Sequence, residues 1–164
     1  MSDCNPFDLN NLRRNGFTFL ISRLPDVQFR AQKLSIPGIQ LGQAERPTPF
    51  VKLAEPGHIE YGLVTVQFMI SESMVDYISI VDWMNSLGAP DKFNVPKDKL
   101  DWKSDISAMI LNSSSRPGVE VKFTNAWPVS ISGLEFDTSL RETEFAVASA
   151  SFRFDRIYFS RLTS

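Results

Sequence analysis

The chain has 164 residues and a formal net charge of −2, from 17 basic and 19 acidic side chains mixed along its length. Apolar residues at 43% and charged residues at 22% sit near the globular average, which points to neither a disordered chain nor a fibrous repeat and predicts one domain over residues 1–164. No long basic run is present, so a sequence-independent grip that neutralises many phosphates is excluded.

The first ten residues, MSDCNPFDLN, lack the basic start and apolar core of a signal peptide. No apolar run approaches the ~20 residues that span a bilayer, so the chain reads as soluble and cytoplasmic with no membrane partner. Cys4 stands alone, which rules out an internal disulfide. Thirteen Phe beside three Tyr and three Trp favour a sheet protein.

In chain order, Phe17, Phe19 and Ile21 alternate with polar neighbours, and after a Leu-Pro-Asp turn Val27, Phe29 and Ala31 alternate with Gln28, Arg30 and Gln32. That pattern predicts a hairpin. Pro37, Pro47, Pro49 and Pro56 remove ladder donors, so residues 37–58 are expected to form an extended proline-rich loop, an arm or a loose hairpin. A long connection of this kind in a compact domain suggests a job such as reaching a partner.

The apolar face switches parity beside Gly62, between Tyr61 and Val64, which predicts a bulge that restores one continuous core face. A single helix is predicted over residues 73–87. Ser73 would cap it with Asp76 at the third position, Met74, Ile78, Val81 and Leu87 would form its apolar face, and Gly88 and Pro90 would stop it.

Residues 91–105 mix charges without a period and read as an exposed connection. Ile106 to Leu111 is a short strand, and SSSRPG a turn. Val119, Val121 and Phe123 begin another strand, Trp127, Val129 and Ile131 follow, and a parity change at Ser132-Gly133 predicts a second bulge. The closing strand runs from Glu144 to about Arg156. Ala148, Ala150, Phe152 and Phe154 lie on one side of it, and Ser149, Ser151 and Arg153 on the other. The sum is a mainly β fold with one α-helix, a curved β-sandwich or barrel.

The chemistry of sites is sparse. There is no phosphate-binding loop, no dinucleotide fingerprint and no Cys-x-x-Cys pair, and His58 is the only histidine, which leaves no His-based triad or multi-His metal centre. Asp98, Asp101 and Asp105 form the densest carboxylate cluster and suggest an acid–base pair for a hydrolase. Lys97, Lys99 and Lys103 between them favour a solvated loop instead. No cofactor and no enzymatic activity are expected. Trp83, Trp127, Phe136 and Phe152 are the expected core anchors.

Three stretches together resemble the tail tube proteins of contractile-tailed bacteriophages, relatives in fold of the inner-tube subunits of contractile injection systems. They are GFTFLISRLPDVQFRAQKLSIPG, LVTVQFMISESMVDYISIVDWMNSLG and, above all, WPVSISGLEFDTSLRETEFAVASASFRFD. Trp127, Pro128, Gly133, Leu134 and Phe136 match that family's Trp-Pro strand. Phe145, Val147 and Phe152 match its closing strand in outline.

The resemblance implies a virion tail protein assembled in the host cytoplasm. Six subunits would form a ring, and rings would stack into an inner tube gripped by a tail sheath protein. Baseplate and tail-completion proteins would bound the tube, while DNA and a tape measure protein would pass through the lumen without specific binding. On this resemblance Ser149, Ser151 and Arg153 face the lumen or a neighbouring subunit, and Arg46, Pro47, Phe50 and Lys52 lie on an arm contacting the next subunit or ring. A baseplate tube-initiator or tail-completion ring of the same fold is the alternative. From a different class, a monomeric ligand-binding barrel stays open.

Overall fold

The structure, a computed structural model, describes residues 12, 15–28, 30–47, 49–88, 102–137 and 145–162. Nine strands and two helical segments appear among them: β1 Phe17–Ile21, α1 Pro25–Gln28, β2 Ala31–Ser35, β3 Ile39–Arg46, β4 Leu53–Tyr61, β5 Val64–Met69, α2 Val75–Leu87, β6 Ser104–Leu111, β7 Pro117–Ile131, β8 Val147–Arg153 and β9 Arg156–Arg161. Seven strands form one sheet: six follow the path β1-β6-β7-β8-β5-β2 and β9 pairs with β7 off it, while β3 and β4 pair with each other.

The long strand β7 organises this path. Its first half pairs with β6 on one side and β9 on the other, and Trp127–Ile131 pairs with β8. Strands β8 and β9 hold one frame along the same edge of β7, with Arg153 opposite Trp127 and Arg156 opposite Thr124. Between them both strands turn a corner. Asn125 takes φ 54°, a left-handed conformation that Asn tolerates better than most residues. The buried positions of β7 switch there from Val121 and Phe123 to Ala126. Two four-stranded layers result, β1-β6-β7-β9 and β7-β8-β5-β2, joined by strands that pass from one to the other.

The inner faces of the two layers share one core. Phe19, Ile21, Ile106, Ala108, Val121 and Phe123 from the first meet Val64, Val66, Phe68, Ala148, Ala150 and Phe152 from the second, all at most 1% exposed. Phe123 meets Phe154 edge-on at 4.9 Å between centroids. From α2, Ile80 and Trp83 enter this core. The Trp83 indole packs 6.2 Å from the Phe152 ring and donates its Nε1–H to the Trp102 carbonyl at 2.8 Å.

Several expectations are corrected by tertiary pairing. Strands β1 and β2 do not form a hairpin: β1 pairs with β6 and β2 with β5. Pro25, preset for a first helical turn, opens α1 instead and drops Val27 into the core. Phe29 lies outside the described residues. The parity switch at Gly62 is not a bulge in one strand but the boundary where the chain passes from β4, largely exposed, to β5, whose Val64, Val66 and Phe68 are fully buried.

The buried side of α2 is Asp76, Ile80 and Trp83, not the predicted Met74, Ile78 and Val81, and Ile78 is 48% exposed. Ser73 does not cap the helix. Met74 occupies that position in the left-handed region, and Asp76 turns back to accept the Ser71 N–H at 3.1 Å beside Arg30 at 3.7 Å. A carboxylate only 3% exposed needs such partners. At the other end of the chain, β7 stops at Ile131 before Ser132-Gly133, and its register shift lies between Pro128 and Ser130. The expected Phe136 anchor is 77% exposed because it lies past the end of β7, and no described strand covers it.

Candidate functional site

Of the carboxylate cluster, the described residues include only Asp105. Asp98 and Asp101 lie outside the described residues, and Asp105 sits at the corner of the sandwich. There it accepts the Asn125 N–H at 3.1 Å and the Lys122 ammonium at 3.0 Å. Asp155 accepts the Lys103 ammonium at 2.8 Å and the Asn125 side-chain amide at 2.9 Å. These groups hold the strained Asn125 backbone where both strands change layer. Among the described residues no group of His, Cys, Asp and Glu is placed to hold a metal ion, and no helix is long and apolar enough to cross a membrane. His58 lies on exposed β4.

Partial burial tends to raise the Asp105 pKa, but the Lys122 and Asn125 hydrogen bonds and the Lys122 charge outweigh it and leave it below the ordinary value. The Lys103 hydrogen bond, with smaller help from Asn125, Lys103 and Arg156, lowers Asp155 against the opposing effect of burial. A depressed folded-state pKa contributes stability that is present above the unfolded value of about 3.9 and is lost as pH falls through the folded value. Both carboxylates are partly exposed, so solvent screening limits the effect. Asp155→Asn is therefore expected to lose less melting temperature than the unmodified protein between about pH 7 and about pH 3. Thermal melts followed by circular dichroism check this, and equal losses in the two proteins would remove the corner from the account.

Two surfaces stand out for binding rather than catalysis. The first is the outer face of the β7-β8-β5-β2 layer. Ser149 and Ser151 are half-buried and Arg153 exposed, while their neighbours Ala148, Ala150 and Phe152 fill the core. Ser151 lies directly opposite Thr65, with the two hydroxyls 3.0 Å apart, and the Ser132 hydroxyl accepts the Ser149 N–H at 3.0 Å. Gln67 faces Ser149 across the ladder and continues this short-chained polar strip. Both flanks of the layer are open. Among the described residues β2 pairs only with β5, and no strand pairs with the other side of Trp127–Ile131. Pro128 suits such a place, since it has no N–H to offer a further strand.

The second surface is the β3–β4 hairpin. It continues the β2–β5 ladder in the same frame, Ile39 opposite Tyr61 following Ser35 opposite Thr65, with the Gly62 N–H bonded to the Gly38 carbonyl at 3.2 Å across the junction. Its eight-residue first strand extends roughly 26 Å at about 3.3 Å per residue. Both faces lie in solvent apart from its base, where the Tyr61 ring packs 5.4 Å from Phe154. Ile39, Leu41 and Ile59 are each at least half exposed. Midway the register slips between Leu41 and Gln43, where Gly42 and Gly57 cross so closely that a Cβ on Gly57 would lie 3.1 Å from the Gly42 carbonyl.

Arg46, Pro47, Phe50 and Lys52 lie towards the hairpin's free end. Arg46 reaches Glu55 at 3.3 Å, Lys52 reaches Glu45 at 3.7 Å, and Phe50 is 95% exposed. Of the expected anchors, Trp83 and Phe152 are buried and Trp127 is partly buried against Trp102. The residues missed from sequence are Ile39, Leu41 and Ile59. Their alternation with Gln40 and Glu60 is visible, but the surrounding prolines argue against a ladder.

No curated protein sequence matches this chain. Among solved structures, it resembles a chain of the PVC sheath-tube complex of an extracellular contractile injection system in the extended state. That pair has a TM-score of 0.69 at 18% identity, covering 93% of each chain. It also resembles a chain of the anti-feeding prophage cap, the tube terminating cap, with a TM-score of 0.71, 19% identity, and coverage of 99% of this chain and 100% of that one. A third likeness, to a chain of the PVC sheath/tube terminator, has a TM-score of 0.68 at 17% identity over 92% of this chain and 97% of that one. At these identities the likeness is one of fold. In sequence, the family model described as T4-like virus tail tube protein gp19 matches residues 17–158, from the first residue of β1 into β9, so the chain belongs to the T4-like virus tail tube protein gp19 family.

Proposed function

We propose that this protein is the repeating subunit of a tail tube: six copies close into a ring, rings stack end to end, and the tube serves as the conduit for genome ejection inside a contractile sheath. The observation that carries this reading is the four-stranded β7-β8-β5-β2 layer, polar on its outer face and, among the described residues, unpaired at both edges. An exposed edge invites pairing with another chain, and a closed ring satisfies every such edge with a neighbour's. Pairing β2 of one copy with the Trp127–Ile131 segment of the next yields a continuous barrel. Thr65, Gln67, Ser149, Ser151 and Arg153 then line its lumen.

A lumen of short hydroxyl and amide side chains suits a passage. Rows of Lys and Arg would retain phosphates and slow a moving genome; Arg153 and Lys33, the latter opposite Gln67, each add one cation to this otherwise uncharged strip. DNA and a tape measure protein accordingly pass without specific binding. The hairpin reaches a neighbouring subunit or ring, and the opposite layer faces the sheath. Baseplate and tail-completion proteins bound the tube, the whole lies in the virion tail, and its parts assemble in the host cytoplasm. The role is structural, with no catalytic step.

A second reading is a terminating ring, favoured by the full mutual coverage with the tube terminating cap of the anti-feeding prophage. Electron microscopy of the purified protein separates the two. Tubes many rings long are expected, isolated rings that never stack would favour the terminator, and a strictly monomeric protein at high concentration would overturn both.

A further inference from the structure

The free end of the hairpin and an open apolar groove lie at opposite ends of one ladder. The hairpin leaves the sheet beside Val64, at the start of β5, and the groove opens beside Met69, at its end. Its volume is about 640 Å³, and Met69, Leu134, Phe136 and Phe145 form its apolar lining. Phe136 and Phe145 are 77% and 71% exposed, unusual for two large aromatics side by side. Glu72 lines it beside Arg30, whose charge is paired with Asp76 at 3.7 Å, and Glu135 lines the adjoining hollow next to Leu134 and Phe136; neither glutamate has an ion pair among the described residues.

We propose that this groove is the seat for the hairpin end of a second copy of the chain, stacked head to tail along the tube axis. The inference rests on the assembly reading above and adds the acceptor site to it. What the hairpin presents is complementary in kind: Phe50 at 95% exposure and Leu53 at 52% supply apolar surface, and Arg46 and Lys52 flank them with positive charge. The acidic margin of the groove meets those cations. Their present partners, Glu55 and Glu45, hold them only through exposed pairs, which bind weakly and exchange readily.

Placement decides the geometry of the contact. Donor and acceptor sit at opposite ends of the sheet, so one copy cannot satisfy itself, and two copies joined this way still present a free hairpin and a free groove. Such a contact is heterologous and propagates without limit along one direction, which is what a stack of rings requires. An isologous dimer would instead consume both surfaces at once.

Cross-linking between singly substituted proteins tests the seat. Phe50→Cys in one preparation and Phe145→Cys in another, each with Cys4→Ser, are mixed and mildly oxidised, with Phe136→Cys as a second acceptor and Thr18→Cys on β1 as a remote control. Disulfides form only where two Cα atoms approach within about 7 Å, so a linked dimer reports contact. The expected result is a dimer band that needs both the Phe50→Cys protein and a groove variant, at least tenfold stronger than with Thr18→Cys. Thr18, Phe50, Phe136 and Phe145 are exposed, so folding is preserved in each cysteine variant. Tubes visible by microscopy without a band from either groove variant would overturn the seat and leave the assembly reading standing. Absence of rings and tubes would overturn both, and equal bands with Thr18→Cys would show collision rather than docking.

Discussion

Phe152→Ala is expected to lower the unfolding free energy by about 3–5 kcal/mol, the cost of deleting a fully buried aromatic and leaving a cavity. The ring is 0% exposed, lies opposite both Val64 and Pro128 in the ladders, and touches the Trp83 indole. It therefore joins β5, β8, β7 and α2 at one point, and none of these elements can close the void without leaving its register. A domain of this size has roughly 5–15 kcal/mol in all, so the loss reaches a large fraction of the total. Urea unfolding followed by tryptophan fluorescence should show the midpoint falling sharply. Phe136→Ala is the matched control, expected within about 0.5 kcal/mol because its ring is already in solvent. A Phe152→Ala loss below about 1 kcal/mol would mean that the sandwich core is looser than its burial indicates.

The contrast between these two phenylalanines shows what a sequence reveals here and what it conceals. Phe152 belongs to an alternating run, Ala148, Ala150 and Phe152 against Ser149 and Ser151, and period-two alternation is a local property that survives any choice of partner. Phe136 also follows an alternating run, but its burial depends on whether the strand persists past Ile131, which only the neighbouring strands decide. Likewise Gly88 marks the end of α2 correctly because a helix stop is local chemistry. The side of the helix that faces inward is set by Trp102 and Phe152, distant in sequence, which draw Trp83 inward.

Pairing was the least legible feature. Strands β1 and β2, neighbours in the chain, stand at opposite ends of the sheet path, because β1 finds β6 and β2 finds β5. The proline-bearing segment, open from sequence between an extended loop, an arm and a loose hairpin, forms the hairpin. Pro56 pairs opposite Gln43 beside the register slip, and Pro47 lies beyond the end of β3, so neither sits in a central strand.

Excising most of the hairpin should separate folding from assembly. Gln40 and Glu60 are directly opposed, so replacing residues 41–59 by Asn-Gly closes the ladder with a two-residue turn whose twist matches the strands. Tyr61 and its contact with Phe154 are retained, as is the Gly62–Gly38 bond at the base. The described residues of the excised segment are exposed except for half-buried Gly57, and a two-stranded ribbon with both faces in water adds little stability of its own. The shortened chain is thus expected to melt within about 4 °C of the parent, a shift worth about 1 kcal/mol or less in a domain of this size. Its polymer fraction, measured by sedimentation and microscopy, should fall at least tenfold. Tubes of normal length from the shortened chain would show that the arm is dispensable. A protein that no longer folds would show that the hairpin supports the sandwich itself. If folding survives and polymerisation does not, the apolar residues on this ribbon have their partner outside the subunit, and their exposure in a single copy is the physical cause of assembly.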